Sequence, residues 1–169
     1  MTRCSVFIAT SLDGFIARED GAIDFLSVVE RPGEDYGYAK FFDSVDTLVI
    51  GRKTYETALG FEAWPYGKKR VVVMTHQART PKHGEELFAG DPIDLVARLS
   101  SKRVYVDGGS VIRQFLAANL VTDLTLSIIP VLLGSGVRLF DGLPREVRLE
   151  LLSAREFESG LVQIHYVAR

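Results

Sequence analysis

The sequence predicts an α/β fold of three layers, with helices over both faces of a mixed, mostly parallel sheet and antiparallel strands at its C-terminal edge. Three observations lead there. Short β-branched apolar runs alternate with segments of helical spacing as far as Asn119, the pattern of βαβ units whose parallel strands are covered on both faces. Beyond Asn119 the helical spacing stops and only β-type runs follow. Turn signals at Gly134–Gly136 and Ser159–Gly160 divide that tail, as added antiparallel strands require.

The elements follow in order. Residues 4–9 (CSVFIA) read as a buried strand ending near Thr10, and 38–45 (YAKFFDSV) as a helix from their apolar spacing. Residues 46–50 (DTLVI) are a second strand stopped by Gly51, and 53–59 (KTYETAL) a short helix. Residues 70–75 (RVVVMT) form a third strand. Asp91–Pro92 opens a helix running to about Ser101, because Asp caps the free amides and proline suits the first helical position. A strand at 103–106 (RVYV) and a helix at 110–119 (SVIRQFLAAN) come next, then β-type runs at 123–133, 147–154 and 161–168. Residues 30–37 and 76–92, rich in Gly, Pro, Lys and Glu, read as surface loops.

Composition narrows the function. The 169 residues are 47% hydrophobic and 25% charged, which describes a single domain over residues 1–169. Twenty Lys and Arg against twenty-two Asp and Glu give a net charge of -2, which argues against a nucleic-acid partner. One cysteine, Cys4, excludes an intramolecular disulfide framework and a cysteine-rich zinc site. His76, His83 and His165 lie far apart with no ligand spacing, so no metal is expected. The opening MTRCSVFIATSLDG lacks a signal-peptide pattern, and no apolar run approaches the ~20 residues that span a bilayer. The expectation is a cytoplasmic protein without a membrane partner.

Two strand-to-helix turns carry chemistry. In Leu48-Val49-Ile50-Gly51-Arg52-Lys53-Thr54 a buried strand ends in glycine, and a helix begins with two cations and a hydroxyl. Cations in a first helical turn oppose the macrodipole at about 0.3–1 kcal/mol each. Either they point into water, with Thr54 as a cap, or a polyanion on that helix end offsets both terms. In Val106-Asp107-Gly108-Gly109-Ser110-Val111-Ile112 the glycine pair is either a tight turn or a place where a ligand approaches the backbone. Both turns fall at carboxyl ends of strands, where open α/β sheets bind ligands, so together they suit a doubly phosphorylated dinucleotide. Neither GxGxxG nor GxxxxGK[ST] occurs. Asp13 and Asp24 are acids flanked by apolar residues, a setting that raises a carboxylate pKa. Each is either a turn or cap residue, or the group that orients a heterocycle and supplies a proton.

The succession SLDGFIA, TLVIGRKTYE, VYVDGGSVIRQFL and LTLSIIPVLLGSGVRLF resembles the dihydrofolate reductase-like superfamily. Its nearest branch is the reductase domain of bifunctional riboflavin-biosynthesis deaminase-reductases. The resemblance covers about residues 4–168 and implies a sheet of about eight strands, NADPH as cofactor and reduction of a small heterocycle. By position it implies that Ala9 and Ile16 hold the nicotinamide, and that Gly51, Arg52, Lys53 and Thr54 hold the phosphates. Thr75 and His76 fall near the adenosine 2′-phosphate, and Asp107, Gly108, Gly109, Ser110, Val111 and Ile112 under the pyrophosphate. Asp24 looks like the acid on the pterin side of dihydrofolate reductases, and Asp13 like the acid of the riboflavin-type loop. Two stretches depart from the pattern: Gly21-Ala22-Ile23 stands where dihydrofolate reductases carry Pro-Trp, and YETALGFEAWP after Thr54 lacks the Asp-x-Pro segment of riboflavin-pathway reductases. There is no HxE…PCxxC deaminase signature.

These readings lead to an NADPH-dependent reductase similar to 5-amino-6-(5-phosphoribosylamino)uracil reductase or dihydrofolate reductase. The alternatives are a non-catalytic nucleotide-binding module or a flavin protein. The long apolar run 124–133, read as an edge strand, and the resemblance both lead to a homodimer.

Overall fold

A computed structural model describes all 169 residues, Met1–Arg169. The strands are β1 (Arg3–Ser11), β2 (Phe15–Ala17), β3 (Thr47–Gly51), β4 (Arg70–Met74), β5 (Glu86–Phe88), β6 (Arg103–Asp107), β7 (Val121–Ile129), β8 (Val137–Arg138), β9 (Leu149–Glu156) and β10 (Val162–Ala168). The helices are α1 (Tyr38–Ser44), α2 (Arg52–Leu59), α3 (Pro92–Arg98) and α4 (Gly109–Ala117), with a 3-10 helix at Asp24–Val29. One eight-stranded sheet runs in the order β5-β4-β3-β6-β1-β7-β10-β9, and β2 with β8 form a separate pair. Strands β5 to β7 of that order are mutually parallel, and β10 is antiparallel to both β7 and β9. The expected three-layer mixed sheet is therefore the observed one.

The central strands are apolar on both faces because both faces are covered. Along β4, Val72 and Met74 join Leu95, Val111, Ile112 and Phe115 beneath α3 and α4. Their neighbours Val71 and Val73 join Phe41, Tyr55 and Ala58 beneath α1 and α2. This alternation is the period of a strand. Asp91 caps α3 by accepting from the Ile93 amide at 2.7 Å, with Pro92 in the first position as expected. The helix stops at Arg98 rather than near Ser101, because Leu99 turns extended to bury its side chain. Asn119, in the left-handed region at φ 59°, follows the end of α4.

Some elements differ from expectation. The short β5 lies inside the stretch read as a loop. The run 124–133 is no sheet edge, since β7 is hydrogen-bonded to β1 on one side and β10 on the other. The sheet's edges are β5 and β9, and β9 is exposed along its whole length and shows Leu149, Leu151 and Leu152 to solvent. No helix is long and apolar enough to cross a membrane.

Candidate active site

The parallel strands end together at one edge of the sheet, and there the loops leave a cleft of about 1490 Å³. Pockets for a single small ligand occupy about 300–1,000 Å³, so this cleft has room for two molecules side by side. It is lined by Ala9 at the end of β1, Ile16 on β2, Gly51–Thr54 after β3, Thr75 and His76 after β4, and Asp107–Val111 after β6. All the residues assigned to the cofactor are thus brought together except Ile112. That side chain is 1% exposed and packs in the core beneath α4.

Glycines allow the three walls to meet. Gly108 has φ +97°, and a β-carbon there would stand 2.6 Å from Oγ1 of Thr54. One on Gly109 would lie 2.8 Å from Cδ1 of Ile16, and one on Gly51 would lie 3.1 Å from Cγ2 of Val111. In the β3–α2 turn, the β6–α4 turn and β2, each glycine backbone therefore lies against a neighbouring element's side chain, and the starts of α2 and α4 line the same cleft. A cradle that side chains would fill, next to two helix N-termini, fits the phosphates of a dinucleotide.

The cations are not equivalent. Arg52 donates to Glu56 one turn along α2, at 3.2 and 3.3 Å, and Glu56 also pairs with Arg79. Lys53 is exposed on the cleft wall with no carboxylate within salt-bridge distance. His76 is exposed, and Thr75 accepts the Gln77 amide at 3.1 Å.

The two acids expected to serve the substrate have other partners. Asp13 accepts from Ser11 Oγ at 2.6 Å and from the amides of Leu133 and Gly134 at 3.1 and 2.8 Å. The Ser11 hydrogen bond, followed by those amides, holds its carboxyl down at about 2. Asp24 is exposed and forms a two-point ion pair with Arg18 at 2.6 and 3.2 Å, which keeps its pKa below the usual range. Neither lines the cleft, and neither pKa rises. The apolar residues beside them in sequence are not what surrounds them in space.

The carboxylate at the sheet edge inside the cleft is Asp107. Desolvation raises it to about 6, against the hydrogen bond of the Gly108 amide at 2.9 Å. Around it stand Tyr38, Tyr66 and Tyr105, all lining the cleft. Desolvation first, then the Asp107 charge, pushes Tyr38 up to about 12 and displaces the other two upward as well. The sequence held one signal for this group: Tyr105 and Asp107 lie two apart on a strand and so share a face. Tyr38 and Tyr66 arrive from distant segments. Trp64, in the loop after α2, stacks on His83 with ring centroids 4.3 Å apart.

An open sheet of this order with a cleft at its carboxyl edge defines the dihydrofolate reductase-like fold. The RibD C-terminal domain family model matches residues 4–163, and the chain belongs to that family. It is 35% identical to the uncharacterized protein YwjB of Bacillus subtilis (strain 168), over 96% of this chain and 95% of that protein. A Shewanella sp. PV-4 protein named for riboflavin biosynthesis is 34% identical, with a TM-score of 0.92 over 99% of each chain. Acinetobacter baumannii RibD, at 16% identity, shares the fold with a TM-score of 0.72 and is covered over 58% of its length.

Proposed function

We propose that this protein is an NADPH-dependent reductase of a small heterocycle. The observation that carries this reading is the contact of the two glycine-opened turns, Gly108 against Thr54, beside a cleft large enough for two ligands. Membership of the RibD C-terminal domain family supports it. Lys53, Arg52, Thr54 and the amides of Gly108–Val111 would hold the cofactor phosphates, with Thr75 and His76 toward the adenosine end. Ala9 and Ile16 would seat the nicotinamide. That cofactor supplies a hydride when bound.

The chain contributes orientation and a proton. With its pKa near 6, Asp107 can bind a heterocyclic N–H when ionised and give a proton when protonated, within reach of neutral pH. The substrate-side acid is therefore Asp107 in this reading, in place of Asp13 and Asp24. The side chains of Tyr38, Tyr66 and Tyr105 shield Asp107 from water, and of the three only Tyr38, 38% exposed, is open to a ring.

Titration with NADPH and NADH, followed by nicotinamide fluorescence, tests the cofactor; no binding of either at submillimolar concentration would sink the reading. Oxidation of NADPH against a panel of pterins and aminopyrimidines tests catalysis, and tight binding without turnover would mark a nucleotide-binding module instead. A homodimer is proposed through β9, whose exposed leucines lie on an edge of the sheet. A solution mass of 18.8 kDa by light scattering would contradict it.

A further inference from the structure

We infer that Ser127 is a specificity-determining residue of the cleft: its hydroxyl, set as a donor by Gln163, gives its proton to a ring carbonyl of the substrate. The inference rests on the reductase reading and deepens it, naming the residue that tells one heterocycle from another. In the sheet Ser127 of β7 stands between Ala9 of β1 and Gln163 of β10. Its side chain lines the cleft and is only 5% exposed. The wall beside it is apolar, with Ala9, Ile129 and Leu161 all bordering the same space.

Hydrogen-bond direction follows from a carbonyl that can only accept. The Tyr36 carbonyl takes an N–H of Gln163 at 2.9 Å, so the amide nitrogen of that side chain, not its oxygen, faces Tyr36. The other N–H on the same nitrogen goes to Ser127 Oγ at 3.0 Å. Tyr36 is held in place at φ 55°: its amide donates to Glu34 at 2.8 Å, and its hydroxyl donates to the Val29 carbonyl and meets Ser159 Oγ at 2.7 Å. Ser127 must therefore accept from Gln163, its one side-chain partner in the protein, and its own proton is left to the cleft. A ring that displaces water from this donor either offers an acceptor or leaves a buried proton unpaired, and a ring N–H or amino group meets it proton to proton. The sheet order assigns that acceptor to the substrate. The phosphate turns follow β3 and β6 in the order β3-β6-β1-β7, so a cofactor reaching from them to Ala9 ends one strand short of Ser127.

The test uses the intact protein, with and without NADPH, in equilibrium dialysis. The probes are 6-hydroxymethylpterin and 5-amino-6-ribitylaminouracil 5′-phosphate, each against analogues with an amino group in place of a ring carbonyl. In Ser127→Ala the carbonyl-to-amino affinity ratio should fall tenfold or more for at least one pair, through weaker binding of the carbonyl member. Gln163→Met removes both N–H donors and frees Ser127 to accept. There the ratio should fall severalfold through tighter binding of the amino member, an effect that a merely structural glutamine would not produce. A ratio unmoved in either variant, or binding of none of the probes, would overturn the inference. So would an NADPH affinity, read by fluorescence, that drops in Ser127→Ala as far as that of the carbonyl probe, since the acceptor would then belong to the cofactor. A protein that binds NADPH with ratios unmoved overturns this inference alone, whereas ratios that move as expected without NADPH binding overturn only the cofactor reading.

Discussion

Oγ1 of Thr54 occupies the space that a β-carbon on Gly108 would need, 2.6 Å away, so two turns more than fifty residues apart in sequence are pressed into one surface. Gly108→Ala should therefore cost about 1–3 kcal/mol, from its positive φ and from the overlap together. In a Thr54→Ala background the overlap is relieved and only the φ strain remains. Denaturant unfolding of the two single variants and the double variant gives the coupling; strict additivity would mean that the turns do not press on each other.

Lys53 and Arg52 should differ as phosphate ligands. Lys53→Glu should weaken NADPH binding tenfold or more, whereas Arg52→Gln should do less, since Arg52 already answers Glu56. Fluorescence titration measures both. An unchanged affinity in Lys53→Glu would show that phosphate does not bind at this turn.

Asp107→Asn should separate stability from activity. The carboxyl titrates near 6 in the fold against an ordinary value of 3.8, so the native state holds the proton more tightly than the unfolded chain. Wild-type stability then falls as pH rises from about 4 through 6, and the Asn variant escapes that loss. The variant should be more stable by on the order of 1–2 kcal/mol at pH 8 and no more stable at pH 4. NADPH oxidation with any accepted substrate should drop at least tenfold. Melting temperatures at the two pH values, set beside turnover, check both halves.

Asp13 should behave as a clamp between the β1 loop and residues 133–134. Its carboxyl is held at about 2, so the clamp is complete above the ordinary carboxylate range and opens only as pH falls toward 2. Hydrogen exchange at the Leu133 and Gly134 amides should quicken in Asp13→Ala, and in the wild type should keep its protection down to pH 4. Loss of protection already at pH 5–6 would restore the raised pKa that the flanking apolar residues suggest.

The fold was legible where local rules coincide. Strands β3, β4 and β6 are apolar on both faces, and the Asp91–Pro92 helix start is a local device. Strands β2, β5 and β8 were not, because pairs of two or three residues carry too little pattern. That the two glycine turns meet at one cleft was legible for the same local reason: each lies at the end of an apolar strand that feeds a helix. The acids were not, since the pKa of Asp13 depends on Leu133 and Gly134, and that of Asp24 on Arg18. Asp107 was read as part of the phosphate turn, and its tyrosine neighbours come from α1 and from the loop after α2.

The pairing of β10 with β7 bears on how the chain is made. During synthesis β7 can zip onto β1 as soon as residue 129 emerges, yet its other flank stays open until residues 162–168 have followed. For that interval the growing polypeptide displays a long apolar ribbon with free amides and carbonyls, the kind of surface that chaperones shield and that stray chains recruit. The hairpin from β9 to β10 thus closes the sheet late, and truncations inside it should yield aggregates rather than a smaller folded protein.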